Sequence, residues 1–293
     1  MQRLFLFWQK ERETMHYNNL SQGMVRKIRR YEPVEAEGLT LYPIRVREFE
    51  EFSIVRPVID FMQQCLPVTL ISKPILQAFY RMELDAAEHG EKSEGMIFKC
   101  VLALLLALRI GDGMEMEQRM QLVQIVPNAD DPKRLERIVF RTEDGEKSVT
   151  PAQFQRIRPI LAAQNGIEMV SENANPELVQ AERDLAELNA PELDFSLESV
   201  KASISLVSGV PEEDMDEWPI LRFLRQREAL QRVLGYLLCG AAEAQGAKWK
   251  DGNPYPSPLF DRIRESSGGV ISLESFAGGG GMRAYQNAGN RTT

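Results

Sequence analysis

The sequence predicts a mainly α-helical fold with a small antiparallel β-meander inserted between two helical parts, an α+β arrangement with a helical core and flexible termini. Three observations lead there. Apolar residues recur at three- and four-residue steps along most of the chain. The densest apolar run, Cys100–Leu108, lies between Lys99 and Arg109; it is well short of the ~20 residues a membrane span needs and reads as a buried helix. β-Branched residues and turn signals gather in one interval, from Met120 to Val149.

The elements divide into five stretches. Residues 1–30 read as a basic N-terminal arm, with seven basic side chains (Arg3, Lys10, Arg12, Arg26, Lys27, Arg29, Arg30) against Glu11 and Glu13 in a chain of net charge −8. The start is similar to that of a signal peptide, but the apolar run Leu4–Trp8 is short and no small-residue cleavage site follows. Met15 and Met24 stand as alternative starts to Met1.

Residues 31–113 form the N-terminal helical part. Leu39–Val46 is extended, and Pro43 keeps it at an edge or off a ladder. Glu48 to about Gln64 is helical on Phe49, Phe52, Val55, Ile59 and Met62, with a kink or split expected at Pro57. Pro74 opens the next helix, whose stripe is Ile75, Phe79 and Met82. After the polar loop His89–Gly95, the helix Met96–Ile110 is apolar nearly all round, which places it at the centre of the core. Gly111 and Gly113 stop it.

Residues 114–150 hold the meander: Met120–Val126, Leu135–Arg141 and Lys147–Val149, separated by the turns Asn128–Pro132 and Asp144-Gly145. Residues 151–262 form the C-terminal helical part. Thr150, Pro151 and Gln153 compose an N-cap, a first-turn proline and a capping-box partner for a helix that ends at Asn165-Gly166 and bends at Pro159. Asn175-Pro176 starts an acidic helix, and Ser196–Ser208 a third with Leu197, Val200, Ile204 and Val207 on one side. Acids from Glu212 to Glu217 precede the longest helix, Pro219 to about Ala244. Its expected stripe is Ile220, Phe223, Leu224, Leu230, Leu234 and Leu237, so Leu234→Asp is expected to unfold the C-terminal part. Lys248–Pro258 is too rich in proline for regular structure, and a short helix around Leu259–Arg264 follows. Residues 263–293 read as a flexible glycine-rich tail.

Catalytic chemistry finds little footing. The two histidines, His16 and His89, sit in polar segments without triad or metal-motif partners. Gly278–Gly281 lacks the Lys-Ser/Thr of a phosphate loop, and Asp130-Asp131-Pro132 is a turn rather than a calcium loop. No catalytic, cofactor-binding or metal-binding residue is assigned. Cys65, Cys100 and Cys239 are far apart and suit buried thiols in a reducing, cytoplasmic compartment. The acidic balance argues against a nucleic-acid partner, and no segment suits a membrane. The candidate partner-binding residues are aromatic: Trp249, Tyr255 and Phe260 in the proline-rich loop, and Trp218 before the long helix. The alternative for the loop aromatics is that they fold back over that helix.

The run Leu41-Tyr42-Pro43-Ile44-Arg45-Val46-Arg47-Glu48-Phe49-Glu50-Glu51-Phe52 resembles the opening of tail-module proteins of bacteriophages and prophages of Firmicutes. Trp218-Pro219-Ile220-Leu221-Arg222-Phe223-Leu224 and Lys248-Trp249-Lys250-Asp251-Gly252-Asn253-Pro254 add to the likeness, which is spread over residues 30–275. Among such proteins are tail assembly chaperones, which are acidic and helical and shield the tape-measure protein before the tube polymerises. The resemblance therefore implies a non-enzymatic assembly factor in the host cytoplasm, with the tape-measure protein as partner and a homo-oligomer compatible. A structural or adaptor component retained in the particle is the alternative it implies. The chain is longer than most such chaperones, and its meander is foreign to their usual pattern.

Overall fold

A computed structural model of the protein describes residues 20–142, 145–167, 169, 175, 177, 179, 181, 196–249, 253–255 and 257–259. The chain divides into two compact units. The first takes in residues up to Met169 and Asp194–Asp261; the second, Val170–Leu193 and Arg262–Thr293. In the second, Glu177, Val179 and Ala181 are helical, and the Asn175 side chain accepts the Glu177 N–H at 2.9 Å, the start its sequence predicts. The glycine-rich tail lies outside the described residues.

The first unit is mainly helical with a small meander, as expected. Its described elements are α1 (Gln22–Arg29), β1 (Val34–Ala36), β2 (Leu39–Leu41), α2 (Phe49–Ile59), α3 (Ile75–His89), α4 (Met96–Leu108), α5 (Met116–Gln121), β3 (Val123–Pro127), β4 (Leu135–Thr142), β5 (Gly145–Val149), α6 (Pro151–Gln164), α7 (Leu197–Ser208), α8 (Glu212–Met215) and α9 (Ile220–Ala244). The N-terminal helical part and the meander fall in this first unit together with residues 151–169 and 194–261 of the C-terminal part, whose residues 170–193 fall in the second.

Helix α4 is the centre of the main core. Every residue from Cys100 to Leu108 is buried; α2, α3 and β2 pack against the helix, and α6 and β4 contribute to the same core. Its ends are satisfied from outside. The Glu83 carboxylate accepts the Ile97 N–H at 2.9 Å in place of a capping side chain at Gly95. The buried Arg119 donates to the Ile110 and Leu105 carbonyls at 2.9 and 3.3 Å, setting a cation at the negative end of the helix. At α6, Thr150 and Gln153 form the reciprocal capping box.

The sheet order is β3-β4-β5, antiparallel throughout, with Ile138 opposite both Ile125 and Val149. Leu135, Ile138 and Phe140 enter the main core, and the Gln77 amide clips the start of β4 to α3 through the Leu135 N–H and the Lys133 carbonyl.

Several expectations are corrected. Residues 20–30 are not an unpacked arm: α1 is capped by Ser21, and Ile28 is 1% exposed in the main core. Residues 1–19 lie outside the described residues. The extended stretch at Leu39 is half of a β1–β2 hairpin, whose turn places Glu37 and Gly38 at φ 54° and 75°. Met120 belongs to α5, not to a strand. The helix expected to reach Gln64 ends at Ile59, two residues after Pro57. The stripe of α9 is buried only in its first turns, through Ile220, Leu221 and Phe223. Leu234 and Leu237 are 47% and 58% exposed, so Leu234→Asp places no charge in a core and is not expected to unfold the protein. Val207 of α7 is likewise exposed.

Candidate partner-binding surface

Two features bear on function: a buried junction between residues 41–48 and 216–220, and an apolar surface beside it that no described residue covers.

The junction is built on residues 41–48. Arg45 and Pro219 form an antiparallel bridge; the Val46 N–H donates to the Trp218 carbonyl, the Ile220 N–H to the Ile44 carbonyl, and the Arg47 N–H to the Asp216 carbonyl. The fully buried Asn165 accepts the Ile44 N–H at 2.9 Å and donates to the Leu161 carbonyl at 2.8 Å, fixing the end of α6 to the same segment. Around this backbone lies an ion network. Arg45, 5% exposed, contacts Glu48, Asp112 and Glu217, and Arg47 contacts Asp112 and Glu217 from the solvent side. At Asp112 burial acts to raise the carboxyl pKa, but the hydrogen bond and charge of Arg45, with Arg47 and Arg109, outweigh it and hold the group below the usual range. Ile44 belongs to the main core and Val46 to a smaller one with Ile204, Met215, Trp218 and Phe223, so three consecutive residues connect two cores. The carboxylates of this network are all paired with a guanidinium, although the buried Arg45 Nε has no hydrogen-bond partner among the described residues.

Trp218, expected as an exposed anchor, is buried beside this junction. It is 8% exposed, packs in the small core and carries the Arg222 guanidinium over its ring at 4.0 Å. Trp249 and Tyr255 are partly exposed, at 37% and 39%. Tyr255 lies against Gly235: a Cβ at that glycine would meet the ring at 2.7 Å, so the loop does fold over α9 there. Phe260 lies outside the described residues. Trp218 and Trp249 flank opposite ends of α9, which at 25 residues is roughly 37 Å long, so they do not share a site.

The surface that no described residue covers lies on α7 and α9. A groove of about 170 Å³ is lined by Ile204, Val207, Ala229, Leu230 and Val233, with Ser208 and Gln226 at its edge. Beyond it Leu234, Leu237 and Leu238 stand 47%, 58% and 70% exposed, and Leu206 of α7 is 87% exposed. From Val233 to Ala242 the helix carries no Lys, Arg, Asp or Glu. Folded chains rarely leave so many large apolar side chains in one patch without something to cover them. The sequence-predicted stripe through Leu230, Leu234 and Leu237 was legible, but its period does not tell whether a core or a partner covers it.

Among the described residues no group of three or more His, Cys, Asp or Glu is placed to hold a metal ion, and no helix is long and apolar enough to cross a membrane. Comparison with protein-family models, with curated proteins and with solved structures finds no match.

Proposed function

We propose that this chain is a non-enzymatic, chaperone-like assembly factor of a phage tail, acting in the cytoplasm of the bacterial host and holding an apolar helical stretch of the tape-measure protein against the α7–α9 surface. The observation that carries the reading is the exposed apolar groove and face itself. A groove between helices receives an amphipathic helix through side chains spaced three and four apart, the pattern of Leu230, Val233 and Leu237. The acidic composition and the resemblance of residues 41–52 and 218–224 to tail-module proteins add support, and these two stretches meet at the Arg45–Pro219 bridge.

The test is capture of tagged chain during phage induction in its host, with bound proteins identified by mass spectrometry. Recovery of a long tape-measure-like protein is expected, together with absence of the chain from purified particles. Val233→Asp, at a position 40% exposed on the groove wall, is expected to abolish that capture while leaving the circular dichroism spectrum intact. Finding the chain in purified particles favours the structural or adaptor reading. Undiminished capture by Val233→Asp removes the groove from the proposal.

A further inference from the structure

We infer that Tyr255 is a releasable latch on α9: its ring sits in a notch of small side chains, closes the side of the helix turned away from the groove, and shields the Cys239 thiol. The inference does not depend on the client proposed for the groove.

Arg232, Gly235, Cys239 and Ala242 follow one another at steps of three and four residues and so share one side of α9. Each is more buried than both of its chain neighbours, so something covers this side. It is not a core: Cys239 is 7% exposed but belongs to neither the main core nor the small one. The groove residue Val233 lies two positions from Gly235, nearly on the opposite side of the helix.

Tyr255 is the residue that the structure places against the covered side. A Cβ at Gly235 would meet Cγ and Cδ2 of its ring at 2.7 Å and Cδ1 at 2.9 Å. Cγ is the ring atom nearest the backbone, so swinging the tip of the side chain would not relieve the collision. Glycine weakens the interior of a helix, and here its missing side chain makes the notch. The contrast lies in the same helix: a Cβ at Gly240 would meet nothing within 4 Å among the described residues. The ring is presented by its own turn, in which the Asn253 side chain accepts the Tyr255 N–H at 2.7 Å across Pro254.

Little holds the ring in place. Tyr255 is 39% exposed, and among the described residues its hydroxyl makes no hydrogen bond. It belongs to neither core, so its departure is a local opening that costs far less than unfolding. That opening bares Gly235, Cys239 and Ala242 beside Leu238, which is already 70% exposed. The latched state withholds this second apolar surface of α9 from partners.

Thiol labelling of the full chain, with each cysteine followed by peptide mass spectrometry, tests the latch. In the wild-type chain the exposed Cys65 is expected to react fast, and Cys239 at least about a hundredfold slower. Tyr255→Ala is expected to speed Cys239 at least about tenfold, with the rates of Cys65 and Cys100 and the circular dichroism spectrum unchanged. Gly235→Ala separates the latch from simple fraying of the helix. Alanine strengthens a helix and would by that effect slow Cys239, but its Cβ expels the ring and is expected to speed Cys239 as Tyr255→Ala does. Tyr255→Phe keeps the ring and is expected to match the wild-type chain. Wild-type Cys239 as reactive as Cys65 overturns the inference. So does a Cys239 rate that is unchanged in Tyr255→Ala, or unchanged or slower in Gly235→Ala. A rise at Cys100 together with Cys239 overturns it as well, because the variant would then have loosened the whole fold.

Discussion

Arg45 shows how much a single side chain can hold. Its guanidinium reaches Glu48, Asp112 and Glu217, three carboxylates from separate parts of the chain, while its backbone bridges Pro219. Arg45→Met would leave Glu48 buried without its cation. Breaking a buried pair from one side is costly, but Asp112 and Glu217 are partly exposed and would rehydrate. A loss of about 2 kcal/mol in urea unfolding is expected. Arg45→Lys should recover little, since one ammonium cannot spread over three carboxylates. Asp112 gives the junction an acid sensitivity. Its carboxyl titrates below the ordinary 3.8 in the folded chain, so its contribution is present above that value and fades as pH falls through the lower, folded one. Asp112→Asn is therefore expected to flatten the acid limb of stability against pH below about 4. An unchanged limb would assign acid unfolding to other carboxylates. The cysteines separate by burial: Cys65 is exposed, Cys100 and Cys239 are buried, and burial pushes the Cys100 thiol far above its usual range. Titration of native protein with a thiol reagent is expected to give one fast equivalent, lost in Cys65→Ser.

At the scale of elements, legibility followed the locality of the signal. The α6 start at Thr150-Pro151-Ala152-Gln153, the stop of α7 at Gly209 and the meander were all readable, because each depends on residues within a few positions. The β1–β2 hairpin was missed because Glu37 shares the left-handed region with Gly38, an unusual place for a residue with a Cβ. Helix α1 was missed because it spans only eight residues and its core-facing side rests on Met24 and Ile28 among charged neighbours. Tertiary caps were invisible for a different reason. Nothing near Asn165 in sequence says that it accepts the Ile44 N–H, 121 residues away. Asn165→Ala strands that N–H in a dry site and is expected to cost about 2 kcal/mol, whereas Asn165→Asp keeps the acceptor but loses the donor to Leu161. Equal stability of wild type and Asn165→Ala would mean that water replaces the amide.

On the whole-molecule scale, the sequence revealed the stripe of α9 but not what covers it. Periodicity marks an apolar face; only the fold shows that Phe223 is buried and Leu237 is not. The junction was equally hidden as a contact, although residues 41–48 and 218–220 were both noticed, because backbone pairing between Arg45 and Pro219, far apart in sequence, leaves no periodic trace. Its consequence is cooperative unfolding. Detaching residues 216–220, which lead into α9, would strip the Ile44 carbonyl and the Val46 and Arg47 N–H groups of their partners and expose Val46. The α7–α9 segment should therefore not melt ahead of the main core. With Trp8→Phe and Trp249→Phe, the buried Trp218 becomes the only tryptophan and reports on the junction directly. Its fluorescence is expected to change at the same urea midpoint as the helical circular dichroism, which is dominated by the main core. Arg45→Met should lower both midpoints together. A Trp218 transition that precedes the helical one would show that the small core opens by itself, and would make the release of α9 from residues 44–48 a separate step in the behaviour of the chain.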